Sequence, residues 1–169
     1  MYILAAVLVI VIVVVSVGAY VFWGMGGDGG TPNVAHATSL TYDADLTYQG
    51  ATSTYKYTAR NIGASDMALR IEIFGGAGGN YTYILNAKDQ TAWVGVNDVW
   101  SDLSNDFTNQ WNSWVGSGKQ FTMDVDKLAA NWSGSGDYTY TDSATQTAIR
   151  IYNIQVNPTI PNSIFEHTT

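Results

Sequence analysis

The chain has 169 residues, with 7 Lys and Arg against 14 Asp and Glu, 2 His and no Cys, for a net charge of −7. Basic residues this few and scattered form no cationic patch for nucleic acid, and a chain without cysteine has neither a disulfide framework nor a thiolate metal site. Setting aside the first thirty residues leaves about 139, enough for one domain with a core of its own.

The first element runs from Met1 to Trp23, "MYILAAVLVIVIVVVSVGAYVFW". It carries no charge, Ser16 is its one strongly polar residue, and the first Lys or Arg of the chain is Lys56. As a helix, 22 residues span roughly 33 Å, about one hydrocarbon thickness. Tyr20 and Trp23 stand at its end, where an aromatic belt lies. A secretory signal would show a basic start, a shorter apolar run and a small-x-small cleavage site. None of these is present, so the segment is expected to be retained, either as a plain anchor or as what remains once a short basic leader is cut away.

A mature chain that opens on such a Val/Ile/Ala-rich segment and continues into a β-rich domain resembles archaeal type IV pilins and archaellins. The likeness covers about 23 residues. It departs from the bacterial pattern at Ala5, where those pilins usually carry Glu, and in the glycines that stop the segment at Gly24. The resemblance implies an assembly helix comprising Met1, Tyr2, Ile3, Leu4, Val7, Ile10, Val14, Val17, Gly18, Val21 and Trp23. Sister copies would bury it at roughly 25 cal/mol per Å², with Gly18 and the Ala5-Ala6 pair allowing close approach. The partners implied are identical subunits, and the membrane before assembly. Glycans and a role in cell adhesion would accompany a glycoprotein filament at the cell surface. No nucleic acid and no cofactor or metal are expected, and the protein is not read as an enzyme.

Residues 24–33, "GMGGDGGTPN", form a flexible joint in which Gly24, Gly26, Gly27, Gly29 and Gly30 act as the hinge. One domain, residues 34–169, follows. "SLTYDADLTY", "TSTYKYTAR", "MALRIEIF", "GGAGGNYTYILN" and "QTAWVGV" alternate apolar and polar residues between turn signals, as an antiparallel meander does. The "GGAGG" run lacks the Lys-Ser/Thr of a phosphate loop and reads as a hairpin turn. The period then changes. Leu103, Phe107, Trp111 and Trp114 recur at helical spacing, with Ser101 as cap and Gly116 as stop. Phe121, Val125, Leu128 and Trp132 repeat the pattern up to Gly134. "DYTYTDS" and "TQTAIRIYNIQVN" return to strand. The expected fold is therefore α+β: an N-terminal hydrophobic α-helix, then an antiparallel β-rich domain with two short helices between strands.

His36 and His167 lie at opposite ends of the domain and form no catalytic set. Asp98, Asp102, Asp106 and Asp124 are candidates for a calcium site, though the default is a solvated acidic surface. Asn80-Tyr-Thr and Asn131-Trp-Ser are N-glycosylation triplets, which would place the domain outside the cell. The 6 Trp and 11 Tyr are many for this length. Trp111, Trp114, Trp132, Tyr55, Tyr57, Tyr138 and Tyr140 are expected to serve subunit contacts, or a ligand such as a sugar. The leading expectation is a structural subunit of an extracellular pilus-like filament. The alternative is a membrane-anchored extracytoplasmic binding module for lipid or carbohydrate, its element order similar to that of periplasmic lipoprotein carriers. A concave apolar cavity roofed by residues 101–132 would favour the carrier, a packed interior the filament.

Overall fold

A computed structural model describes residues 32–76, 79–97 and 99–167. The anchor or assembly segment and the glycine hinge read from the sequence lie outside the described residues.

Eight antiparallel strands form one sheet. Six of them make a meander: β1 Ser39–Tyr48, β2 Ala51–Arg60, β3 Ala68–Gly76, β4 Gly79–Asn86, β5 Thr91–Val96 and β6 Val99–Asp102. The chain then crosses the sheet through two short helices, α1 Phe107–Trp114 and α2 Gln120–Asn131. It finishes with β7 Tyr138–Asp142 and β8 Thr147–Val156, in the spatial order β6-β5-β4-β3-β2-β1-β8-β7. The last strand thus inserts beside the first, and the helical crossover carries the chain from one edge of the sheet to the other.

Alternation decides which face each side chain serves. In β1, Leu40, Tyr42 and Ala44 are buried while Thr41, Asp43 and Asp45 point the other way. Across the β1–β2 ladder, Tyr42 meets Tyr57 and Leu40 meets Ala59. The β1–β2 connection is a two-residue turn at Gln49 and Gly50, both with positive φ (49° and 81°), as the right-handed strand twist requires of a tight hairpin. The inner face gathers Leu69, Ile71, Leu85, Ala92, Ile149 and Ile151 beneath Phe121, Val125 and Leu128 of α2. Gly116 follows α1 because a Cβ there would come within 2.6 Å of the Asn112 carbonyl oxygen. The outer face is polar except at one end. There Ala68 and Ile84 are covered by Phe165, in a 3-10 turn spanning Asn162–Phe165.

The α+β expectation is therefore corrected. The architecture is predominantly one antiparallel sheet, and among the described residues α-helix is confined to a segment of 8 residues and another of 12 laid over its inner face. Among the described residues, no helix is long and apolar enough to cross a membrane. The reason is the ladder itself. Every run of alternating residues finds a hydrogen-bonding neighbour, so the strands build one continuous layer, and the helices only cap its apolar side. Ser101, read as the cap of the first helix, instead lies in the edge strand β6, with Gly95 opposite Trp100.

Candidate functional site

The most distinctive polar constellation lies inside the helix–sheet interface. Asp124 projects from α2 on the same stripe as Phe121 and Leu128 and is completely buried. Its carboxylate accepts three hydrogen bonds. The Tyr42 hydroxyl donates to Oδ2 at 3.0 Å, the Tyr140 hydroxyl to Oδ1 at 2.6 Å, and Gln120 Nε2 to Oδ1 at 2.7 Å. Gln120 Nε2 also lies 3.1 Å from the Tyr140 hydroxyl. Among the described residues no Lys or Arg pairs with this carboxylate. Burial therefore pushes its titration up to about 6, against the pull of the three donors, which favour the charged form. Burial, with the Asp124 charge second, raises the Tyr42 and Tyr140 hydroxyls well above the ordinary phenol value. The set pins α2 to β1 and β7.

Around this pin the interface is filled with rings. Tyr42 stacks on Tyr57 at 4.8 Å between centroids, and Phe121 lies 6.4 Å from the first and 6.0 Å from the second. Tyr83 meets Trp114 at 5.3 Å. The Tyr57 hydroxyl is buried and bonds to no other described group.

The aromatics singled out in the sequence all pack against this interior. Tyr57 is fully buried, while Tyr55, Trp111, Trp114, Trp132, Tyr138 and Tyr140 are partly buried against the same core. Among the described residues Tyr48 is the exposed tyrosine, 49 % accessible at the β1–β2 turn. Asn80 and Asn131 are both exposed, the first in β4 and the second closing α2. The carboxylates weighed for calcium are not brought together. Asp102 and Asp106 are exposed before α1, Asp124 is in the core, and Asp98 lies outside the described residues. Ser104 hydrogen-bonds Asp102 and holds its carboxyl below the usual range. Among the described residues no group of three or more His, Asp or Glu could hold a metal ion. His36 is exposed, and His167 stacks on Trp93 at 3.7 Å. The glycine run closes the β3–β4 hairpin, with Gly76 opposite Gly79.

What the sequence reading missed is the role of Asp124 as the polar centre of the core. The signal was present: a carboxylate three residues after Phe121 and four before Leu128 falls on the apolar stripe of its helix.

No protein-family model matches the chain, and no match to a curated protein or to a solved structure was found.

Proposed function

We propose that the protein is a structural subunit of an extracytoplasmic filament, with its apolar N-terminal segment as the assembly element and the β-rich domain displayed outward. One observation carries this reading. The domain closes its own core, with Leu40, Tyr42, Tyr57, Leu69, Ile71, Leu128 and Ile151 buried by one another. The uncharged run from Tyr2 to Trp23 also needs burial, and this reading assigns it to a surface other than that core. Sister copies of the same run provide that surface in a filament. The lipid-carrier alternative is disfavoured by the stacked Tyr42, Tyr57 and Phe121 rings, which occupy the space where an acyl chain would lie. Electron microscopy of the purified full chain tests the proposal. Fibres are the expected result, and detergent-held single particles would overturn it.

A further inference from the structure

The far edge of the sheet is incomplete. β7 pairs with β8 only from Thr147 to Ile151, while β8 runs on to Val156, so its last residues have no ladder partner on that side among the described residues. Across the other side, the β1–β8 register places Thr41 opposite Gln155 and Asp43 opposite Tyr152. Asn153 and Ile154 thus share one partner, Tyr42, in a β-bulge, with Asn153 at φ 54°. The α2–β7 connection stands off this open edge. It is fixed by the Trp132 indole N–H donating to the Gly136 carbonyl at 3.0 Å. Between connection and edge lies an open groove of about 540 Å³, within the range of small-molecule sites.

The groove lining has a definite chemistry. It presents the Trp132 indole, the carboxylates of Asp43 and Asp137, the Lys56 ammonium, and the amides of Asn153 and Gln155. Asn153 Nδ2 donates to Asp43 Oδ2 at 2.7 Å, and Arg150 donates to Asp137 Oδ2 at 2.7 Å, so both carboxylates are oriented and keep free lone pairs. The lining carries two carboxylates and one ammonium, which disfavours an anionic ligand. The lining thus offers both hydrogen-bond donors and acceptors beside an indole ring. Each hydroxyl of a sugar both donates and accepts, and its C–H face packs on an indole. A lipid tail would leave these polar groups unpaired. An extended peptide added to β8 needs a regular edge, and the bulge at Asn153 turns this one out of register.

We infer that this groove, between the α2–β7 connection and the unpaired end of β8, binds a neutral oligosaccharide through Trp132, Asp43, Lys56, Asn153 and Gln155. The site is independent of whether the chain assembles into filaments. Its test uses the full chain in a detergent without a sugar headgroup, screened against an array of neutral and N-acetylated oligosaccharides, with titration calorimetry on those retained. Asn153→Gly removes the amide while keeping a residue at ease with positive φ, and Lys56→Ala alters an exposed side chain, so neither threatens the fold. The expected result is binding that weakens about tenfold or more in each variant, with the urea midpoint of unfolding unchanged. Three outcomes would overturn the site: an array with no ligand, a ligand whose affinity neither variant changes, or an unstructured peptide that binds in its place and protects β8 amides from exchange.

Discussion

Asp124 shows how far a single side chain can be followed from sequence to consequence. Unfolded, its carboxyl titrates near the ordinary aspartate value of about 3.9. Folded, burial holds the proton up to about 6. Between those values the folded state binds more protons than the unfolded chain. Its contribution to stability is therefore fully present below about pH 4 and is lost as pH rises through about 6. The difference between the two limits is about 3 kcal/mol at 1.36 kcal/mol per pKa unit. Asp124→Asn keeps the shape and abolishes the titration. Urea unfolding of the wild type should show stability falling from pH 4 to pH 7.5, whereas the variant should lose less over that range and match or exceed the wild type at the upper end. A wild-type advantage that grows with pH would show that the three donors outweigh burial. Composition alone hides such a residue, because a chain with 14 acidic side chains presents Asp124 as one more surface charge. Only its phase relative to Phe121 and Leu128 marks it as internal.

At the scale of elements, the strands were legible where alternation was strict. Leu69, Ile71 and Ile73 against Arg70 and Glu72 are enough to define β3, and the paired Tyr55 and Tyr57 define β2. The second helix was equally plain, since Phe121, Val125 and Leu128 repeat at helical spacing and become its buried stripe. The first helix was misplaced at its start. Ser101 looked like a cap, yet Trp100 packs on Gly95 across a ladder and holds Val99–Asp102 in a strand. A Cβ at Gly95 would meet the Trp100 ring at 3.1 Å, so the missing side chain makes that packing possible. The C-terminal segment was the least legible. Its isolated apolar residues Ile160, Ile164 and Phe165 have no period, because they are positioned by the outer face they cover. Ser39 Oγ donates to the Pro158 carbonyl, Arg60 to the Asn162 side-chain oxygen, Arg70 to the carbonyl of Ile164 and Asn86 to that of Phe165, so the segment is tied to β1, β2, β3 and β4. Phe165 is 3 % exposed and the Arg60 guanidinium lies 4.8 Å over its ring. Phe165→Ala should cost about 3 kcal/mol or more in urea unfolding, as for other buried aromatics. A loss below about 1 kcal/mol would mean that the outer-face cluster adds little to the fold.

For the whole molecule, the decisive question is what buries the apolar run from Tyr2 to Trp23 that precedes the domain. Lipid and sister copies both bury such a run, but they respond differently to bulk. Gly18, Ala19 and the Ala5-Ala6 pair are its smallest side chains, and small residues matter where polypeptides approach one another closely. Against lipid they confer nothing, because acyl chains accommodate a larger apolar group as readily. Gly18→Leu therefore separates the two environments: it raises the apolarity of the run while filling the space between copies. In a filament the variant should fail to form fibres, or form them far more slowly, while still partitioning into vesicles as the wild type does. Its unfolding midpoint, read from tryptophan fluorescence, should not move, since Trp93, Trp100, Trp111, Trp114 and Trp132 all report on the domain. Fibres that form unchanged would mean that copies do not meet at Gly18. Wild-type chains dispersed singly in vesicles would leave the run to lipid and the domain as a tethered sheet.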